Sequence, residues 1–226
     1  MNRGIVIAAV LAAAAAAAMI SVRACAADGT AGSVEWESGT NYVMLGRPQV
    51  TNVPRGKIEV AEVFWYGCSH CYALDPALEN WKRKGKPDYV EFVRIPVIWG
   101  ESHLQHARLY YTMLALKRPE LHSKIFDTIH QKGNMLSAPT DEEARALHLA
   151  FFMANGVTES QFNAAYDSKE VEQNVHLASR LTGRYEVGSV PLMIVNGTYS
   201  TSVSQAGSSE KLLMLVNYLA AREKGR

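Results

Sequence analysis

Residues 57 to 99 carry the feature that most constrains the fold, a hydrophobic pattern that changes from strand to helix and back within one short span. KIEVAEVFWY, Lys57 to Tyr66, is rich in Val, Ile and aromatic residues and long enough for a strand buried on both faces; Gly67 ends it. From Cys68 the spacing turns helical through CSHCYALDP to about Lys84, with a kink expected at Pro76 and a stop at Gly85 and Pro87. DYVEFVRIPVIW, Asp88 to Trp99, supplies a second apolar strand. Strand, helix and strand at this spacing make a βαβ unit with parallel strands and a right-handed crossover. The fold class is therefore α/β.

The other elements are arranged around that unit. Residues 28 to 57 read as a polar lead-in with one short strand near Asn41 to Leu45, broken by Pro48 and Pro54, and no separate domain fits there. From about Ser102 to Gly183 the apolar spacing is helical: Leu104, Ala107, Tyr111 and Leu114 share one face, as do Leu121, Ile125 and Ile129. Thr140 with Glu143, and Thr158 with Gln161, have capping-box spacing, while Asn155-Gly156 and Gly183 look like helix stops. VPLMIVNGTYST returns to strand, with an Asn196-Gly197 hairpin turn. A last amphipathic helix covers about Ser209 to Arg222, with Leu212, Leu215, Val216 and Leu219 facing inward.

The chain opens MNRGIVIAAVLAAAAAAAMISVRACAADG, in which Arg3 precedes an Ala-rich apolar stretch and small residues follow, the pattern of an export signal. A spanning helix needs about 20 consecutive apolar residues, more than Ile5 to Ile20 provides, so removal of residues 1–26 is expected rather than anchoring. Cleavage after Ala26 or Ala27 fits the small-residue rule and discards Cys25; a lipidated Cys25 fits poorly beside the charged Arg23. The leader holds two of the 23 Lys and Arg residues and none of the 22 acidic ones, so its loss takes the formal charge from +1 to −1. Neither nucleic acid nor any other polyanion is implied as a partner.

Two cysteines, Cys68 and Cys71, then remain in a chain that meets oxidants. A bridge between them closes a tiny loop and removes little entropy from the unfolded chain, so stability is a weak reason for the pair. Haem attachment needs His directly after the second Cys, where Tyr72 stands. Structural zinc needs four ligands at paired spacings, yet there is no second cysteine pair, and His103 and His106 lie in a predicted helix without a partner motif. No metal is expected. The strand-to-helix turn favours redox chemistry over an inert disulfide or two buried thiols. Cys68 falls at or next to the helix N-cap, where unpaired N–H groups and the macrodipole stabilise a thiolate, the nucleophilic form. Cys71, one turn later, is set back toward the interior and suited to resolve a mixed disulfide. A stabilised thiolate makes the disulfide easier to reduce, hence a stronger oxidant. His70 either gives Cys68 a hydrogen bond or positive charge, or faces solvent as an ordinary helix residue. Ser69 either adds a hydroxyl hydrogen bond or is present because helix starts favour Ser. Glu62, in an otherwise apolar strand, is either a buried carboxylate of raised pKa able to take the Cys71 proton, or a strand-edge residue pointing to solvent.

These residues resemble the DsbA family of exported thiol-disulfide oxidoreductases. EVFWYGCSHCYALDP is similar to that family's strand, active-site C-x-H-C and following helix, and GSVPLMIVNGTY to its loop carrying a cis-proline opposite the thiols. More weakly, the resemblance runs from about Asn41 to the C-terminal helix. It implies a thioredoxin fold with an inserted helical domain: residues 27–101 and 184–226 form the thioredoxin-like part and 102–183 the insertion. By position it implies Cys68 as exposed nucleophile, Cys71 as buried partner, His70 as the thiolate-stabilising histidine and Glu62 as the buried acid. Pro191 would be cis, with Val190 offering backbone hydrogen bonds to an extended substrate. Read from the residues alone, Trp65, Tyr66, Val190 and Trp99 either supply apolar surface near the thiols for unfolded chains or, as aromatic residues at such spacing more often do, fill the core. The implied function is that of a monomeric periplasmic disulfide oxidase that needs no bound cofactor, its redox group being the Cys68–Cys71 disulfide. Its substrates would be unfolded or reduced exported proteins, and a membrane partner of the DsbB type would reoxidise it. A reductase or isomerase of the same fold, or a non-catalytic peptide-binding chaperone, are the alternatives. Ser69-His70 stands where the family more usually has Pro-His, so the direction of the tuning carries over and its magnitude does not. Leu192, Met193 and Thr198 also depart from the usual residues and bear on the peptide groove.

Overall fold

Five strands, β1 (Val43–Met44), β2 (Ile58–Phe64), β3 (Val90–Pro96), β4 (Leu192–Val195) and β5 (Tyr199–Thr201), form one sheet ordered β1-β5-β4-β2-β3 in the computed structural model, which describes residues 35–226. The leader, Cys25 and the cleavage site lie outside the described residues. Helix α1 (Ser69–Lys84) joins β2 to β3, which pair in parallel; α2 (Glu101–Ala115), α3 (Leu121–His130), α4 (Asp141–Ala154), α5 (Glu159–Tyr166) and α6 (Lys169–Arg184) lie between β3 and β4 in the chain. β4 pairs antiparallel with β2 and with β5, and α7 (Val203–Ala206) and α8 (Ser209–Lys224) complete the order. This is a thioredoxin fold with a helical insertion.

Alternation along the strands assigns each face of the sheet. Val60 of β2 and Met193 and Val195 of β4 meet Leu74, Leu78 and Trp81 of α1 and Leu212, Leu215, Val216 and Leu219 of α8. Ala61, Val63, Ile95 and Ile194 point the other way, onto Ala178 of α6 and onto Tyr185 and Val187. β2 is buried along its whole length, as its continuous apolar run requires. A third cluster joins the end of β2 to the helices: Phe64, Tyr66 and Cys71 pack with Leu109, Tyr110, Leu121, Ile125, Phe126 and Phe152. The helical segment thus shares its core with the sheet, and Trp36–Arg226 forms one compact unit.

Local signals held where the chemistry was local. Both capping boxes form, Thr140 with Glu143 and Thr158 with Gln161. Asn196 and Gly197 both adopt positive φ, 50° and 60°, as a type I′ hairpin turn demands. Gly183, expected as a stop, lies inside α6, which runs to Arg184. Leu114 is 40% exposed rather than part of a single inward face. The reason is that α2 packs on two sides, with Leu109, Tyr110 and Met113 in the helical core and Ala107 in a small cluster with Val171 and Val175 of α6. α7 was not foreseen, although Ser202 accepts a hydrogen bond from the Gln205 N–H in ordinary capping fashion.

Candidate active site: an unequal dithiol at a helix N-terminus

The turn from β2 into α1 sets the geometry. The Cys68 N–H donates to the Trp65 carbonyl at 3.0 Å, and Cys68 is the N-cap of α1 with extended backbone, φ −87° and ψ 116°. The Tyr72 N–H donates to the Cys68 carbonyl at 3.1 Å and closes the first helical turn. Both cysteines are free thiols; Cys68 is half-buried and Cys71 fully buried.

Their environments drive the two pKa values apart. Cys68 is lowered from 9.0 to about 6: the Cys71 thiol donates to its sulfur, and the backbone N–H groups of Cys71 and His70 and the His70 charge add to this, against partial burial. Cys71 moves the other way, raised far above the usual thiol range by burial first, then by its hydrogen bond to Cys68 and the nearby Glu62 charge. His70 and Ser69 are both exposed. His70 acts on Cys68 through its charge and its backbone N–H, and Ser69 is not among the leading causes of the lowered pKa.

Across from the thiols, the Val190–Pro191 peptide bond is cis, and the Cys68 thiol donates to the Val190 carbonyl, Sγ to O 3.5 Å. A groove of about 460 Å³ opens between His70, Ala73 and Leu74 on α1 and Ser189, Val190 and Pro191 on this loop. Trp65 is half-buried, its ring stacked on His103 with centroids 4.3 Å apart, and Trp99 is 46% exposed beside the same imidazole. Tyr66 does not belong to this surface: it is fully buried, its hydroxyl 2.7 Å from His122 Nδ1, because it projects to the opposite side of the chain from Trp65, into the helical core. Met193 is likewise a core residue under α1 and α8, and the Thr198 hydroxyl is bonded to the Asn196 carbonyl in the hairpin turn, so neither shapes the groove.

Behind the thiols lies a buried charge cluster. Glu62 is 1% exposed and accepts from Arg94 Nε at 2.7 Å. Arg94 also donates to Asp75 at 2.9 Å and to Glu79 at 3.0 Å, while Ser123 donates to the second Asp75 oxygen at 2.7 Å. Burial raises the Glu62 pKa, and the Arg94 guanidinium limits the rise. Glu62 thus sits in the interior rather than at a solvent edge, its oxygen held by Arg94 and its charge acting on Cys71. Sequence reasoning missed Arg94, Asp75 and His122; the available signal was a lone Arg in the apolar run FVRIPV, in register with Glu62 across β2 and β3. Among the described residues, no cluster of three or more His, Cys, Asp or Glu is placed to hold a metal ion.

A parallel βαβ unit with a low-pKa thiol at the N-cap, a buried thiol one turn on and a cis-proline loop opposite defines a thioredoxin-fold thiol:disulfide oxidoreductase. No family model matches the chain. It is, however, 34% identical over 192 residues to the thiol:disulfide interchange protein DsbA of Pseudomonas aeruginosa, covering 84% of this chain and 87% of that one. The DsbA of Azotobacter vinelandii is 36% identical over 190 residues, 80% of this chain and 85% of that protein. The crystal structure of Pseudomonas aeruginosa DsbA superposes with a TM-score of 0.75 at 34% identity, covering 84% of this chain and 95% of that one. That of the Xylella fastidiosa oxidoreductase DsbA gives 0.74 at 27% identity, covering 82% and 96%. The chain belongs to the DsbA family of thiol:disulfide interchange proteins.

Proposed function

We propose that this oxidoreductase works as a periplasmic oxidase, donating the Cys68–Cys71 disulfide to reduced, newly exported proteins. A substrate thiolate attacks Cys68 Sγ, the Cys68–Cys71 bond breaks, and Cys71 leaves with the electron pair and takes a proton. A second substrate thiolate then attacks the substrate sulfur of the mixed disulfide, and Cys68 leaves as a stabilised thiolate. The substrate loses two electrons and the Cys68–Cys71 pair gains them. Cys68, His70, Cys71 and Glu62 carry the exchange and its proton, with Glu62 exchanging charge and proton with Cys71 in its buried cluster. Val190 and Pro191, with Trp65, line the path of an extended substrate. Ser69 is left as a solvent-facing helix residue.

The observation that carries this reading is the inequality of the two thiols, one lowered to about 6 and the other raised. It supports attack at Cys68 and easy departure of Cys68 from a mixed disulfide, the step an oxidase needs. In the test, Cys68→Ala abolishes oxidation of a reduced, unfolded protein by the purified enzyme; undiminished oxidation overturns the reading and leaves a peptide-binding role. Equilibration with glutathione gives the direction: a potential near that of thioredoxin, about −270 mV, would make the protein a reductase instead.

Reoxidation by a membrane partner of the DsbB type, export by cleavage near Ala26, and action as a monomer complete the proposal. Membranes carrying quinone are expected to reoxidise the dithiol form, and cell fractionation and sedimentation of the mature chain test the other two. Among the described residues no helix is long and apolar enough to cross a membrane.

A further inference from the structure

The Tyr66 carbonyl, two residues before Cys68, is met by a side chain from the far end of α3: His130 Nε2–H donates to it at 2.8 Å. The same imidazole lies parallel to the Tyr72 ring, centroids 4.7 Å apart and planes within 5°. Tyr72 is in turn tied to α3 by its hydroxyl, which donates to Asp127 at 2.9 Å and accepts from Gln131. One ring therefore touches the chain on both sides of the Cys68–Cys71 turn. It holds the Tyr66 carbonyl, two residues past the end of β2, and stacks on the residue whose N–H closes the first turn of α1 over the Cys68 carbonyl. The backbone N–H groups that favour the Cys68 thiolate, those of His70 and Cys71, lie between these two anchor points. Since a carbonyl only accepts, Nε2 carries the hydrogen.

We propose that His130 is a positioning residue for thiol-disulfide exchange: by stapling the Tyr66 carbonyl to the Tyr72 ring it fixes the turn that aims the α1 N–H groups at the Cys68 sulfur. The helical insertion thereby sets the acidity of a thiol in the thioredoxin-like part. This rests on Cys68 being the stabilised thiolate.

Three variants separate the parts of the staple. His130→Ala removes both contacts, His130→Phe keeps a ring for Tyr72 and loses the donor, and His130→Gln keeps a donor within reach of the carbonyl. The readouts are the Cys68 ionisation, followed by thiolate absorbance, and the equilibrium of the dithiol form with glutathione. In the Ala and Phe variants the thiolate is expected to be about 10-fold less favoured, a pKa about one unit higher, with the glutathione equilibrium shifted in the same sense toward the protein disulfide. His130→Gln is expected to restore both to within about twofold of the parent. Ala and Phe variants that lose stability yet keep the parental ionisation and equilibrium overturn the proposal, because a merely structural histidine changes only the first. Should neither variant fold, the unmodified protein decides: the His130 Nε2–H resonance is expected to shift between dithiol and disulfide forms, and an unshifted one overturns the proposal. A parental Cys68 pKa near 9 would instead defeat the functional reading itself, which keeps the two failures distinct.

Discussion

The Cys71 thiol is the foremost single cause of the lowered Cys68 pKa, where the sequence pointed to the helix terminus and His70. A donor hydrogen bond to an anion is lost outright when the donor is removed, whereas backbone N–H groups survive any side-chain change. Cys71→Ala is therefore expected to raise the Cys68 pKa above about 6. Titration by thiolate absorbance checks this; an unchanged value contradicts it. Gly67 makes a second residue-scale case. A Cβ there would run into the Trp65 ring, so Gly67→Ala must displace the indole or bend the turn before Cys68. The expected cost is about 1–3 kcal/mol of stability with a change in tryptophan fluorescence, read from urea unfolding followed at both far-ultraviolet and fluorescence wavelengths.

Between elements, Arg94 of β3 is the pivot that lets β2 and α1 keep their acids inside. Removing one partner of a buried ion pair leaves the other charge uncompensated, so Arg94→Met is expected to destabilise the protein by about 3–5 kcal/mol. Glu62 and Asp75 already have raised pKa values from burial, and without Arg94 they rise further. A carboxylate raised on folding binds more protons in the native state, so stability falls as pH climbs from its unfolded to its folded value. The variant should accordingly recover part of its loss on acidification, which urea midpoints at two pH values measure. This cluster also marks the limit of what the sequence disclosed. The capping boxes and the Asn196-Gly197 turn rest on neighbours a few residues apart and were legible. Whether Glu62 was inside or at an edge depended on Arg94, 32 residues away, and only strand register brings them together. Tyr66 and Trp65 illustrate the same point: the sequence put both near the thiols, and only the packing of the helices takes Tyr66 into the core.

At the scale of the whole molecule, the thiol pair links redox state to folding. The dithiol protein holds Cys68 at about 6 when folded and at the ordinary 9.0 when unfolded, so between those values the unfolded chain keeps a proton that the folded one has released. Stability of the dithiol form must then rise with pH through that window, and the contribution is lost as pH falls through about 6. The disulfide form has no such group. Glu62, Asp75 and Arg94 are common to both forms, so their own pH dependence largely cancels in the difference, and so does any loop-closure entropy of the disulfide, which does not titrate. Urea unfolding of both forms at about pH 5 and about pH 8 isolates the effect. The stability of the dithiol form relative to the disulfide form is expected to be greater at the higher pH. By linkage, that gain is the same free energy that makes the disulfide easier to reduce in the folded protein than in the unfolded chain. Equal differences at the two pH values would mean that the folded protein does not hold the Cys68 thiolate more favourably than water does, and the oxidase reading would fall.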